Sequence, residues 1–339
     1  MLSRTRQRGT IFLPQCYIVL ISRTERTLIT IAKRFDEAAL TAFEKKLSQH
    51  KIDHCQIVQH GKTLLSYARN NQSAHRLHKI NSVTKSVVSL LIGIAIERGE
   101  IAGIRQPISD YFPEVRNSDK TDVTIEHLLT MSPGWEWPEM GDWGGRPFPM
   151  INSSNWTRFI LNQPMIHPPG TKMYYDSGSS HLLSAILQQA TGLTTSAYAQ
   201  QHLFHPLGIE RYRWYADSKG IVIGGFGLEV VGPDLAKLGQ LVLRGGQWNG
   251  RQLVPSAWLE ATTEPRHHTY DHIGSYASHW WVMTDERRNP IFPRVFFAMG
   301  YGGQYIFVVP DLDLVVTFAS TLYKSTFLPM RLFREMMDV

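Results

Sequence analysis

The chain has 339 residues, enough for about two average domains or one large one. With 43% hydrophobic and 11% aromatic residues it can bury a sizeable core, which excludes a disordered chain. Two cysteines exclude a disulfide scaffold and every Cys-rich metal module. No apolar run is long enough for a membrane-spanning helix. The net charge of +6 is dispersed, not gathered into basic runs, which argues against a nucleic-acid partner.

At the N-terminus, Arg4, Arg6 and Arg8 precede an apolar patch from Ile11 to Ile21, the outline of a secretory signal. Pro14 and Gln15 interrupt the patch, and Ser22-Arg23-Thr24 follows it in place of a small-x-small cleavage site. Gln15 before Cys16 also fails a lipoprotein signal. Residues 1–34 are therefore expected to be an extension, either an edge strand or poorly ordered. The protein is expected in the cytoplasm, with secretion as the alternative. Cys16 and Cys55 are expected to be separate thiols.

Leu40, Phe43 and Leu47 recur at helical spacing and predict an amphipathic helix over 35–49. Two apolar-rich runs flanking His60-Gly61-Lys62 predict a hairpin, with Gly61 supplying the turn. A polar loop is expected over 70–79. Then Asn81 reads as an N-cap and Gly99 as a C-terminal stop for a helix that is apolar nearly all round, and hence buried. From about 105 to 215 the pattern is helical and loop-rich, with helices expected over 125–131, 156–161, 180–191 and 195–203. Helices over 234–244 and 256–263 follow. Strands are expected over 280–283, 304–310 and 312–319, with Pro310-Asp311 as a turn, and a closing helix over 327–337. A two-stranded hairpin is marginal alone, so the strands at both ends are expected to share one sheet. The helical middle is then an insertion, and the cleft between the parts is the natural site.

Ser82-Val-Thr-Lys85 opens the buried helix. Residues i and i+3 share a helix face, about 5–6 Å apart at Cβ. A helix N-terminus and apolar surroundings both favour an uncharged amine, which can take the proton of a nearby hydroxyl. The backbone N–H of Ser82 is then available as half of an oxyanion hole. In isolation Ser-x-x-Lys arises by chance, but a lysine opening a buried apolar helix needs a reason to be there. No G-x-S-x-G elbow, Walker A loop or H-E-x-x-H is present. His267, His268 and His272 have no acidic or Cys partner at metal spacing, so no metal or cofactor is expected.

Together these residues resemble the class C β-lactamase-related, penicillin-binding-protein-like serine hydrolases. The resemblance runs from about residue 35 to the end. Ser82-Val-Thr-Lys85 matches the nucleophile helix, and Thr124-Ile-Glu-His-Leu-Leu-Thr-Met-Ser-Pro-Gly134 a second family segment. Pro169-Gly-Thr-Lys-Met-Tyr-Tyr-Asp-Ser-Gly-Ser-Ser-His-Leu-Leu183 matches the second catalytic motif. Gly225-Phe-Gly-Leu228, Asp234-Leu-Ala-Lys-Leu-Gly239 and Trp248-Asn-Gly-Arg-Gln-Leu-Val254 complete the series. Tyr175-Asp-Ser-Gly and Gly300-Tyr-Gly-Gly-Gln-Tyr-Ile-Phe307 are nearest the branch of aminohexanoate-dimer (nylon-oligomer) hydrolases and esterases.

The resemblance implies an α+β fold of the β-lactamase/transpeptidase type: an antiparallel sheet flanked by helices, with an inserted all-helical subdomain. One hydrolase domain is expected over 35–339, with sheet parts at 35–80 and 220–339 and a helical part at about 82–215. It implies Ser82 as nucleophile, Lys85 as its base and Tyr175 as proton shuttle. Ser177, Tyr301, Gly302 and Gly303 are expected to contact substrate, with the second oxyanion N–H from Tyr301 or Gly302. Trp135, Trp137 and Trp143 either line the cleft or pack. The second motif has Ser177 where many members have Asn, and Ala298 falls where many carry a cation. Both departures weaken a β-lactamase or peptidase reading and leave hydrolysis of a small ester or amide. The alternatives are a penicillin-binding-type sensor with little turnover, or a D-alanyl peptidase or β-lactamase. Natural substrate and oligomeric state are left open by the sequence.

Overall fold

The structure is a computed structural model and describes residues 35–337. The extension over 1–34 and Cys16 lie outside the described residues. In chain order come helix α1 (Glu37–Ser48), strands β1 (Ile52–Gln59) and β2 (Lys62–Ala68), α2 (Asn71–His75), β3 (Leu77–Lys79) and α3 (Val83–Glu97). The middle holds α4 (Ile125–Leu129), α5 (Phe148–Ile151), α6 (Trp156–Leu161), α7 (Ser177–Thr191), α8 (Thr195–Ala199), α9 (His205–Leu207) and β4 (Tyr212–Trp214). Then follow β5 (Leu228–Val231), α10 (Gly232–Leu243), β6 (Gln247–Trp248), β7 (Arg251–Gln252), α11 (Ser256–Thr262), β8 (His267–Tyr270), β9 (Gly274–Tyr276) and β10 (Trp281–Val282). The last elements are β11 (Phe296–Gly300), β12 (Gln304–Val309), β13 (Leu314–Ser320) and α12 (Leu328–Met337).

The main sheet is antiparallel, in the order β2-β1-β13-β12-β11-β10-β9-β8. The N-terminal hairpin joins the C-terminal strands through β1 and β13, with Cys55 opposite Phe318 and Ile57 opposite Val316. Successive side chains of a strand point to opposite faces, and here both faces are covered. Phe297, Tyr305, Phe307 and Phe318 pack with Phe43 and Leu47 of α1 and Phe333 of α12. Ala298, Ile306 and Val308 pack on the other face with α3, α7 and α10. Burial on both sides explains why β12 and β13 are apolar throughout.

Helix α3 lies in this second core, and every residue from Val83 to Ala95 is buried. Its all-round apolar surface has no solvent face to serve. Gly93 lets α11 approach: a Cβ there would lie 2.3 Å from the Trp258 ring, which is pinned by its Nε1–H donating to the Ser89 carbonyl at 3.0 Å. Overpacking of this kind costs about 1–3 kcal/mol, against a helix-propensity gain of about 1 kcal/mol for alanine. Gly93→Ala is therefore expected to lower the denaturant midpoint, read by urea unfolding.

Several local expectations need correction. Residues 70–79 are not a loop; Asn70 caps α2 by accepting from the Ser73 N–H, and β3 pairs with β5. Helix α7 starts at Ser177 rather than 180, because Asp176 caps it by accepting from the Ser179 N–H at 3.0 Å. Asn81 is not the cap of α3; that place belongs to Ser82, whose hydroxyl makes no capping bond. Between α3 and β5 the named elements are helices apart from β4, which pairs with β5 in a small second sheet.

Candidate active site

Ser82 sits where β3 and its connection meet α3. Asn81 before it has φ +48°, a left-handed conformation that asparagine tolerates better than most residues. Its side-chain amide donates to the Tyr301 carbonyl at 2.6 Å and so ties the Ser82 turn to the end of β11. With no cap to form, the Ser82 hydroxyl is left for other partners.

Lys85 is buried one turn further on. Its Nζ donates to Ser82 Oγ at 3.1 Å, to Ser177 Oγ at 3.1 Å and to the Gly225 carbonyl at 2.7 Å. Burial lowers its pKa from the ordinary 10.5 to about 8, against the opposing pull of Glu139 and Asp176. Gly225 is glycine for a reason of space: a Cβ would meet the Ser177 carbonyl oxygen at 3.0 Å.

The Tyr175 phenol stands beside the Ser82 hydroxyl, and the Lys85 Nζ is 4.9 Å from the centre of its ring. The ring stacks on Trp281 and meets Tyr276 edge-on, so it packs with the first core while Ser82 and Lys85 ride on a helix of the second. Burial pushes the Tyr175 phenol well above its usual value; the Ser82 hydroxyl pulls the other way and Glu139 adds to the rise. The group is a phenol, not a phenolate, near neutral pH.

Ser177 enters this cluster through its hydroxyl. Its hydroxyl donates to Glu139 Oε1 at 2.7 Å and accepts from Lys85. Glu139 is buried, and its Oε2 accepts from the Ser177 N–H at 2.8 Å and from Trp137 Nε1–H at 2.8 Å. Asp176 accepts from Trp135 Nε1–H at 2.9 Å, and burial raises its carboxyl to about 6. Trp135 and Trp137 are therefore packed supports of the site's carboxylates and do not line the cleft. Trp143 packs edge-on against Trp137.

The backbone N–H groups of Ser82 and Tyr301, like that of Gly303, have no hydrogen-bond partner among the described residues. Those of Ser82 and Tyr301 lie on either side of Gly300, where a Cβ would stand 3.1 Å from the Ser82 nitrogen. The Gly302 N–H is paired, donating to Thr326 Oγ1 at 3.1 Å. A Cβ on Gly303 would meet Pro329, Leu322 and Ser320 side-chain atoms at 3.1–3.2 Å. Both glycines adopt positive φ, +81° and +83°, so they serve the turn into β12. The Tyr301 side chain is exposed, and Arg146 Nη2–H donates to its phenol at 3.3 Å.

Sequence reasoning missed Glu139, Asn81 and the Gly225 carbonyl. Glu139 lies in a loop with no periodicity and carries no local signal; Gly225 was visible only as part of a matching segment. Among the described residues no group of His, Cys, Asp or Glu side chains is placed to hold a metal ion. No described helix is long and apolar enough to cross a membrane.

An antiparallel sheet backed on one side by a buried Ser-x-x-Lys helix is the architecture of the β-lactamase and transpeptidase-like proteins. The chain belongs to the β-lactamase family, whose sequence profile matches residues 56–336, and is a serine hydrolase. It is 24% identical over 298 residues to the 6-aminohexanoate-dimer hydrolase of Paenarthrobacter ureafaciens, covering 82% of this chain and 74% of that one. It is 26% identical over 220 residues to esterase EstB of Burkholderia gladioli, 55% of this chain and 54% of the esterase. The class C β-lactamase of Rhodobacter sphaeroides superimposes with a TM-score of 0.68 at 18% identity, over 89% of this chain and 99% of that one, a likeness of fold.

Proposed function

We propose that the protein hydrolyses a small ester or linear amide through an acyl-enzyme on Ser82. The observation that carries this reading is the buried Lys85 amine, lowered to about 8 and 3.1 Å from the Ser82 hydroxyl. In its neutral form it takes the Ser82 proton as the oxygen attacks the carbonyl. The N–H groups of Ser82 and Tyr301 hold the oxyanion. Tyr175, protonated at neutral pH, gives its proton to the leaving group and is restored through Lys85. Water then enters where the leaving group was, loses a proton to the same pair and releases the acid. Ala298 is buried in β11 and offers no cation to a substrate carboxylate, which favours an ester or open-chain amide over a β-lactam. The names of the amide-dimer hydrolase and the esterase it resembles point the same way.

Because the reactive form is the unprotonated amine, kcat/KM for an ester should rise with pH through about 8 and fall below it. A fluorophosphonate probe should label the wild type and not Ser82→Ala, and a chromogenic ester should be turned over. Labelling without turnover would favour a sensor. Rapid acylation by a fluorescent penicillin, slow on esters, would favour a peptidase or β-lactamase. An acid limb near the ordinary lysine value would mean that burial does not hold the Lys85 amine uncharged near neutral pH.

A further inference from the structure

The hydrogen bonds around Lys85 can be assigned one proton at a time. As an ammonium, Nζ donates to all three neighbours, the Gly225 carbonyl, Ser177 Oγ and Ser82 Oγ. As a neutral amine it has two hydrogens and one lone pair. The Gly225 carbonyl can only accept, so one hydrogen is fixed there. Ser177 has a single hydroxyl hydrogen, and Glu139 Oε1 receives it at 2.7 Å. Towards Lys85, Ser177 is therefore also an acceptor, and the second hydrogen is fixed there. The lone pair has one direction left, which is Ser82.

We propose that Glu139 is a positioning residue that aims the lone pair of Lys85 at the nucleophile by holding the Ser177 hydroxyl hydrogen away from the amine. The proposal rests on the reading of Ser82 as nucleophile and Lys85 as base. Glu139 is itself held: its Oε2 receives both the Ser177 N–H and the Trp137 indole N–H, each at 2.8 Å. These donors leave Oε1 facing the Ser177 hydroxyl. The anion has a second, opposing effect, since its charge favours the ammonium form of Lys85. A residue that only lowered the lysine pKa would be better uncharged. A carboxylate in this place makes sense if directing the proton matters more than freeing it.

Glu139→Gln separates the two effects. The two donors at Oε2 require the glutamine carbonyl at that position, which places its amide nitrogen against Ser177 Oγ. Ser177 then accepts from glutamine, and its own hydrogen turns to the Lys85 lone pair in competition with Ser82. With p-nitrophenyl acetate as substrate, kcat/KM on the high-pH plateau should fall about 100-fold, within the usual worth of a positioned base. The acid limb should move below pH 8, because the neighbouring anion is gone. A site merely loosened by the substitution would hydrate the amine and move that limb up. In a Ser177→Ala background, Glu139→Gln should cost less than about threefold, because the hydroxyl through which it acts is absent.

An unchanged plateau in Glu139→Gln, an upward shift of its acid limb, or an undiminished loss in the Ser177→Ala background would each overturn the proposal. Should Glu139→Gln not fold, Ser177→Ala alone decides: it should lose plateau activity with its acid limb still near 8, and full activity would refute the assignment. Ser82→Ala separates the two levels. If it retains hydrolysis, the reading of the nucleophile falls and this inference with it. If it is inactive and Glu139→Gln behaves as wild type, only the inference falls.

Discussion

Lys85→Met is expected to lose about 10³-fold or more of ester turnover while remaining folded, because it removes the proposed base and keeps the volume. Its stability profile should change in a way no other loss of activity would produce. In the native protein the lysine releases its proton at about 8, against 10.5 in the unfolded chain. Below pH 8 both states hold the proton, and the fold bears the full cost of a buried cation. Between about 8 and 10.5 only the unfolded chain binds it, so stability rises with pH by about 3 kcal/mol in total. Methionine has no proton to bind, and this rise should vanish. Urea unfolding of both proteins at pH 7 and pH 10 reads the difference directly. A wild-type stability flat over that range would mean that the amine is not held uncharged by the fold.

Gly300→Ala should do comparable damage by a different route. A Cβ at this position would lie 2.3 Å from the Ile80 carbonyl oxygen and 3.1 Å from the Ser82 nitrogen. Both atoms are backbone, so relief requires β11 to move away from the Ser82 turn. That movement separates the Ser82 and Tyr301 N–H groups and strains the Asn81 bond to the Tyr301 carbonyl. Loss of one oxyanion donor is worth about 10²–10³ in kcat, and the steric cost to the fold is about 1–3 kcal/mol. Probe labelling of Ser82 should slow by the first factor, and urea unfolding should register the second. Labelling at the wild-type rate would exclude the strand end as part of the oxyanion site.

The sequence was most legible where a single period governs. The all-apolar helix after Ser82, the terminal strands and the joining of both ends into one sheet follow from burial patterns that leave little choice. Boundaries set by single caps were harder: Asp176 moved the start of α7 by three residues. That shift matters, because it places Ser177 at the helix N-terminus with its hydroxyl turned inward. The least legible part was the support beneath the reacting groups. Glu139 meets Ser177 across 38 positions, and Gly225 meets Lys85 across 140. Contacts of that span arise from tertiary packing and leave no trace in spacing. Gly302 and Gly303 both have positive φ, and the Gly302 N–H is already used by Thr326, which the spacing of glycines alone did not reveal.

The Tyr175 ring is packed with one face of the sheet and the helix carrying Ser82 and Lys85 with the other, so the groups proposed to react meet at a seam between two hydrophobic bodies. Neither body alone carries a working set of groups. Sliding one against the other by an ångström would disconnect proton transfer while leaving almost all buried apolar area in place. Competence for turnover is therefore a more fragile property of this molecule than its folded state, and heat or denaturant should silence it before the chain comes apart.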